Sequence, residues 1–162
     1  MCWIGKVEHK HVAKENIEVR KILLKERKEL FDNPSFVSPY QFMKYGIGIG
    51  YVTKINPLHA FPPSGQSYIT INAGLHCYSP SKCRFSKREN FQGETSLITV
   101  YLYSEIKNLA VQARNTICFP ADMYHYPVLM KAIIPKGTTY YENDSGEIVS
   151  EKLIVKEIDN KL

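Results

Sequence analysis

Short β-prone runs, each ended by glycine, proline or a polar cluster, are the feature that most constrains the fold of this sequence. Apolar and polar side chains alternate from Ser67 to Ala73, and Gly74 follows. A period of two places Ile69 and Ile71 on one face of a strand. Ser96–Tyr103 and Val128–Ile134 are further β-forming runs. The pattern predicts a strand-rich protein.

Other segments add strands to this prediction. Asn16–Leu24 has the apolar spacing of a strand, and Tyr40–Ile55 has strand composition interrupted by glycine. Thr138–Glu142 and Leu153–Ile158 are predicted to form a closing β pair around the turn Asn143–Gly146.

Three segments favour or permit helix. Ser79 and Pro80 have the residue types of an N-cap and a first helical position, which predicts a short basic helix from Pro80 to about Asn90. Segments 25–32 and 105–115 are ambiguous between helix and non-helical structure. We therefore expect an α+β fold, with a mixed or mostly antiparallel sheet and one to three short helices. No linker composition divides the chain, so residues 1–162 are predicted to form a single domain.

Glycine occupies every second position of Gly46–Gly50. In a strand, all three glycines would share one face, which indicates a hairpin or bulge, or a platform for a ligand. The spacing is not that of a dinucleotide-binding fingerprint, because the last glycine and a following helix are missing from the pattern.

Composition limits the classes of function. The formal charge is +5, with much of the excess in Lys21–Lys28 and Lys82–Arg88, and aromatic residues make up 12% of the chain. This excess of positive charge favours binding of an anionic ligand. A nucleic-acid partner is not expected, because there is no continuous basic stripe with interleaved aromatic residues.

Cysteine usage and hydropathy suggest the compartment. The four cysteines show no C-x-x-C spacing, so a structural zinc site is not expected. No other metal and no cofactor is predicted. No signal peptide is evident, and no apolar run reaches the ~20 residues needed to span a bilayer. We expect a cytoplasmic protein with free thiols and no membrane partner.

His76 and Tyr78 form the first candidate site, because they precede the predicted helix start. Helix N-termini attract anions, and Lys82, Arg84, Lys87 and Arg88 follow in the sequence. Together with Ser79, these residues could hold a phosphate while Tyr78 stacks on a base. The alternative is a turn histidine beside a solvated basic helix.

The second candidate is Tyr124-His125-Tyr126, in a predicted loop between β segments. Tyrosines beside a histidine suit stacking on a planar ligand, and loops often carry function. The alternative is a loop that packs its tyrosines over the core. We predict that both candidates converge on one pocket. The predicted ligand-binding residues are His76, Tyr78, Ser79, Arg84, Arg88, Tyr124, His125 and Tyr126.

Several segments resemble a group of small, largely uncharacterised single-domain proteins of bacteria and bacteriophages. The likeness rests on Met1–Ile4, the G-x-H-x-Y element Gly74–Tyr78, Ile134–Tyr141, Gly146–Ser150 and Leu153–Val155. With the basic and aromatic composition, it implies a phage-type protein that sequesters a host immune signalling nucleotide.

The chain also resembles, more weakly, the ADP-ribosyltransferase fold. In that family a strand-end histidine and a nearby tyrosine bind NAD, and a late acidic residue orients the ribose. The likeness implies these roles for His76, Tyr78 and Glu147, although Glu147 follows a Ser-Gly turn and no serine-threonine-serine strand is present.

Three classes of function follow. The first is non-enzymatic binding of a small anionic, nucleotide-like ligand. The second is an ADP-ribosyltransferase-like or nucleotide-hydrolysing enzyme, and the third is a protein–protein interaction module that uses its aromatic residues as anchors. A homo-oligomer stays an open alternative.

Overall fold

A computed structural model describes residues 3–27, 35–39, 43–60, 68–89, 96–104, 111–118 and 124–159. Its regular structure consists of antiparallel strands and one 3₁₀ helix, Val7–His9. The strands are β1 (Trp3–Gly5), β2 (Lys10–Val12), β3 (Ile17–Glu26), β4 (Phe36–Val37), β5 (Lys44–Tyr45), β6 (Gly50–Val52), β7 (Leu58–Ala60), β8 (Tyr68–Ile71), β9 (Leu75–Tyr78), β10 (Arg84–Glu89), β11 (Ser96–Ser104), β12 (Val111–Cys118), β13 (His125–Ile134), β14 (Thr139–Glu142), β15 (Glu147–Ser150) and β16 (Lys152–Ile158).

The predicted α+β class is wrong: over the described ranges the protein is all-β, with no α-helix. The helix predicted from Pro80 to about Asn90 is the clearest error, because Arg84–Glu89 is a strand that pairs with β11. Pairing with the strongly β-prone Ser96–Ser104 overrides the helical start signal. Residues 111–115 lie in β12, and 25–26 complete β3, while residues 28–32 and 105–110 lie outside the described residues. No helix long and apolar enough to cross a membrane is present in the described segments.

The main sheet has ten strands and is built around the pairing of β3 with β13. Its principal strand order is β2-β14-β15-β9-β3-β13-β16-β6, and β4 and β5 continue from the far end of β3. The sheet curls: Tyr45 on β5 and Tyr51 on β6 are distant in this order, yet their ring centroids are 4.7 Å apart. Its inner face therefore packs largely against itself, around Val19, Leu23 and Met130.

Two three-stranded sheets cover the outer face of the main sheet. Sheet β10-β11-β12 contributes Ile98 and Val100, which pack on Ile22 and Leu129. Sheet β1-β8-β7 brings Ile71 and other apolar side chains onto the region of β14 and β15. The predicted alternation of Ser67–Ala73 is confirmed within β8, since Ile69 and Ile71 are buried while Tyr68 and Thr70 are partly exposed.

The strand at the C-terminal end does not pair as predicted. Thr139–Glu142 pairs with Glu147–Ser150 across the turn at Asn143–Gly146, whereas Lys152–Ile158 pairs with β13 and β6. The Asn143 side chain explains the tight turn, because its oxygen accepts the main-chain N–H groups of Ser145 and Glu147.

The structure also corrects the prediction of strand through the glycine-rich segment Gly46–Gly50. Gly46–Ile49 forms a turn between β5 and β6 rather than a continuous strand, and Gly48 has φ of 77°. This left-handed conformation suits glycine. The segment is therefore a turn and not a hairpin, because β5 and β6 do not pair with each other.

We predict that Ile71→Ala lowers the free energy of unfolding by about 2–5 kcal/mol, the usual loss for a fully buried aliphatic side chain. Ile71 is 0% exposed, whereas Ile4 on the adjoining strand is 55% exposed. Ile4→Ala is the matched control and should cost less than about 0.5 kcal/mol. Urea unfolding measures both values, and equal losses would contradict the assignment of this sheet to the core.

Candidate functional site

Tyr78 is buried on β9 and does not present its ring to solvent. It is 3% exposed, packs with Ile22 and Val100, and makes an edge contact with Phe85 at 6.1 Å between ring centroids. A ring enclosed in this way belongs to the core between the main sheet and β10. The structure therefore leaves Tyr78 without an open face for stacking on a ligand base.

His76 lies two residues earlier on the same strand and is partly buried. Burial, and to a smaller extent the charge of Lys21, lower its pKa from the ordinary 6.5 to about 4. Nε2 of the ring lies 3.5 Å from the main-chain oxygen of Asn72. Because the imidazole is neutral near pH 7, it offers no positive charge to a phosphate.

Ser79 begins a single turn and does not cap a helix. Its main-chain oxygen accepts N–H groups from Lys82 and Cys83, and its own N–H donates to the Gly146 oxygen at 2.8 Å. The chain then enters β10. The anion site predicted at a helix start is therefore not formed, because the donors are used within this turn and by the neighbouring hairpin.

Arg84 and Arg88 are exposed on β10. In a helix they would be one turn apart, but four residues of strand separate them by about 13 Å. Lys87, on the opposite face, pairs with Glu89 at 3.0 Å. The basic residues of this segment are thus spread along a strand instead of being gathered around one point.

Glu147 lies directly opposite Tyr78 on β15. Burial raises the pKa of its carboxyl group, and the Asn143 amide donates to it at 3.3 Å. His76 and Tyr78 thus lie on β9, and Glu147 lies on the neighbouring strand β15. The enclosed Tyr78 ring leaves that arrangement without an accessible aromatic surface.

The second candidate lies at the end of the β3–β13 pairing. Lys25 is opposite Tyr126, Glu26 is opposite His125, and the Arg27 N–H donates to the Tyr124 oxygen at 2.9 Å. Two cations on one strand thus face two tyrosines on the other. We call Lys25, Arg27, Tyr124 and Tyr126 the basic–aromatic end.

Both cations of the basic–aromatic end approach the same ring. The Lys25 ammonium is 5.9 Å from the centroid of Tyr126, and the Arg27 guanidinium is 5.7 Å from it. These distances fall within the range of cation–π attraction. Lys25, Arg27 and Tyr126 are partly exposed and Tyr124 is 51% exposed, so solvent reaches the group.

Glu26 and His125 project from the opposite face of the same strand ends. The Glu26 carboxylate accepts the Ser35 N–H at 3.1 Å, and this hydrogen bond lowers the pKa of the carboxyl group. Successive strand residues face opposite ways. The carboxylate next in sequence to both Lys25 and Arg27 is therefore directed away from them.

The two predicted candidates do not meet. Tyr78 is opposite Arg20 on β3, whereas Tyr126 is opposite Lys25. Five strand residues separate these positions by about 17 Å. Of the residues predicted from sequence, Tyr124 and Tyr126 adjoin two cations, His76 and Tyr78 lie elsewhere on the sheet, and Arg84 and Arg88 lie on a different sheet.

Lys21 is a functional candidate that the sequence interpretation missed. It is 6% exposed on the inner face of β3, and its ammonium donates to the His76 oxygen at 2.7 Å and lies 5.1 Å from the Tyr45 ring centroid. Burial lowers its pKa to about 8. Alternation along β3 would have revealed it, because Lys21, Leu23, Lys25 and Arg27 share one face.

A cavity of about 120 Å³ lies between β10–β11 and β13. It is lined by charged as well as apolar groups, but Lys87 pairs with Glu89 and Asp159 pairs with Arg20 at 2.8 Å. Ligand pockets are usually about 300–1,000 Å³. The cavity is too small for a nucleotide, and its charges are already matched.

The described thiols are unsuited to nucleophilic chemistry. Cys77 and Cys83 are buried and free, and burial raises the pKa of each to about 12. Such thiols stay protonated, and the thiolate is the nucleophile.

Within the described ranges, no three histidine, cysteine or acidic side chains are grouped as metal ligands would be. Cys2 lies outside the described residues, as do residues 61–66 and 119–123.

Comparison of the chain with protein-family models, with curated proteins and with solved structures finds no match.

We predict that the His76 ring titrates near pH 4. Its pKa is lower in the folded state than the ordinary value of 6.5, so the unfolded state binds more protons between these values. The contribution of His76 to stability is therefore present above pH 6.5 and is lost as the pH falls towards 4. NMR titration of the histidine ring signals measures the midpoint, and a value near 6.5 would contradict the burial described here.

Proposed function

We propose that the protein binds a small anionic, nucleotide-like ligand at the basic–aromatic end of the β3–β13 pairing. The observation that carries this proposal is the approach of Lys25 and Arg27 to the single ring of Tyr126, at 5.9 Å and 5.7 Å. The site is solvent-accessible and includes part of the sequence-predicted set.

The paired cations favour an anion. Lys25 and Arg27 are two residues apart, about 7 Å along the chain, and both cations lie near the Tyr126 ring. A phosphate bound beside that ring would accept charge-assisted hydrogen bonds from both groups. Arginine adds a planar donor set that fits two phosphate oxygens.

The tyrosines favour a planar group next to that anion. Tyr124 and Tyr126 are on neighbouring rungs of one face, opposite Arg27 and Lys25. Stacking of a base on an aromatic ring contributes about 1–3 kcal/mol and tolerates different bases. A ligand that carries both a phosphate and a planar base would use the cations and the tyrosines together, and a nucleotide has both groups.

Binding without turnover fits the arrangement of ionisable groups. The Glu26 carboxylate and the His125 imidazole, which could act as acid or base, face away from the basic–aromatic end. The resemblance to small proteins of bacteria and bacteriophages supports one role for such a binder: sequestration of a host signalling nucleotide.

We predict that Lys25→Gln and Arg27→Gln each weaken nucleotide binding about tenfold or more, because each removes a charge-assisted contact. The probes are a cyclic dinucleotide, NAD and ADP-ribose, ranked first by thermal shift and then measured by calorimetry. A bound ligand should raise the melting temperature of the wild-type protein by mass action.

Arg84→Gln and Arg88→Gln are the matched controls, because they remove the same type of exposed charge from β10. We expect both to bind as the wild type does. Loss of binding in these variants with retention in Lys25→Gln would move the site to β10. Failure of every probe to bind would overturn the proposal and favour the interaction module, and recovery of a cleaved probe would favour an enzyme.

We predict that Tyr126→Phe keeps the affinity within about threefold, whereas Tyr126→Leu lowers it about tenfold or more. Phenylalanine retains the ring face needed for stacking, while leucine retains only apolar area. The same calorimetric titration separates the two variants. Equal affinities for both would show that the ring does not stack on the ligand.

A further inference from the structure

Strands β10 and β11 present arginine and tyrosine on the face that is turned away from the main sheet. Ile98 and Val100 are 0% exposed and pack towards the main sheet, so their neighbours along β11 point outward. The cross-strand register defines the outward pairs, which are Arg84 with Tyr101, Ser86 with Thr99 and Arg88 with Leu97. We call these six residues the arginine–tyrosine face.

The arginine–tyrosine face is open to solvent and its positive charge is not balanced. Its three β10 side chains are exposed, and its three β11 side chains are partly exposed. None of the six residues is acidic. Lys87 and Glu89 lie on the opposite face of β10 and pair with each other at 3.0 Å. The charge on the arginine–tyrosine face therefore favours an anionic partner.

The spacing of side chains along β10 fits a stretched polynucleotide. Alternate residues of a strand are about 7 Å apart, so Arg84, Ser86 and Arg88 form a regular row. Successive phosphates of an extended single strand are separated by a similar distance. Each guanidinium can donate two hydrogen bonds to a phosphate, and the serine hydroxyl between them can donate one. Consecutive phosphates can thus follow β10.

The neighbouring strand β11 supplies contacts for the bases. Tyr101 is directly opposite Arg84, and adjacent strands are about 5 Å apart, so a base whose phosphate is held by Arg84 can reach the tyrosine ring. Stacking of a base on an aromatic ring tolerates different bases. Leu97, opposite Arg88, adds apolar surface at the other end. The row for phosphates and the row for bases therefore run side by side.

We propose that the arginine–tyrosine face binds single-stranded nucleic acid, with the sugar–phosphate backbone along β10 and the bases over β11. The strand pairing interleaves basic and aromatic side chains that belong to separate segments of the sequence. This is why the sequence shows no continuous stripe of that kind and predicts no nucleic-acid partner.

A single strand fits this face better than a duplex or an acidic peptide. The bases of a duplex are stacked on one another, so their faces are not available to Tyr101. An acidic peptide would use the two arginines but has no base to place on the tyrosine ring. Only a single-stranded nucleic acid uses both rows of the face.

The arginine–tyrosine face needs a longer ligand than the basic–aromatic end does. Each nucleotide meets at most one cation and one ring on it, so the affinity accumulates over several linked nucleotides. A cyclic dinucleotide is too short to gain from this arrangement. The face belongs to a different sheet from β3 and β13, so either site can be lost without the other.

We expect the full-length protein to bind a labelled oligothymidylate of about ten nucleotides, as measured by fluorescence anisotropy. Arg84→Gln and Arg88→Gln should each weaken binding at least about threefold and lower the slope of log affinity against log salt by about 0.7–1, because each removes a phosphate contact. Tyr101→Leu should weaken binding at least about fivefold without changing that slope, whereas Tyr101→Phe should bind within about threefold of the wild type.

The matched control is Lys87→Gln, which removes a cation from the opposite face of the same strand and should bind as the wild type does. Circular dichroism shows whether Tyr101→Leu is folded, and the arginine variants test the face independently of it. Failure of the oligothymidylate to bind at about 50 mM salt would overturn the proposal. Equal binding of polyglutamate or of a duplex would also overturn it, as would weakening by Lys25→Gln or Lys87→Gln with no effect of Arg84→Gln.

Discussion

The antiparallel pairing of β3 with β13 is the interaction on which the rest of the structure depends. Ten consecutive residue pairs join Ile17–Glu26 to His125–Ile134. Both faces of this pair are covered: Leu23 and Met130 lie in the inner core, while Ile22 and Leu129 pack beneath β10 and β11. Because the partners are about a hundred residues apart in sequence, the pairing brings the two halves of the chain into one sheet.

The same pairing creates the proposed site where it reaches solvent. In its centre, the inner face of β3 carries Val19 and Leu23 on either side of the buried Lys21. The same alternation continues through Lys25 and Arg27, so this face carries partly exposed cations where it leaves the core. Tyr126 extends from that core to the cations, since it packs on the inner cluster and lies beneath both charges.

Local patterns in the sequence predicted several of the strands but few of their partners. Ile69 and Ile71 alternate with polar residues, and burial follows that pattern. Arg84–Glu89 has no such alternation, and its strand depends on pairing with β11, which begins seven residues later and lies outside the local pattern of residues 84–89. The C-terminal strand failed for the same reason: Leu153 pairs with Tyr51, a contact that no nearby residue indicates.

The basic–aromatic end could be predicted only in part, because its residue types are visible in the sequence but their pairing across strands is not. Tyr124 and Tyr126 stand out in the sequence, and the basic run Lys21–Lys28 is visible, but only strand pairing brings the two together.

The most direct test of ligand binding at the basic–aromatic end is NMR titration of the labelled full-length protein with a cyclic dinucleotide. We predict saturable shifts at Lys25, Arg27, Tyr124 and Tyr126, with Arg84 and Arg88 unchanged. Saturable shifts confined to β9 and β10, or none at all, would contradict the account.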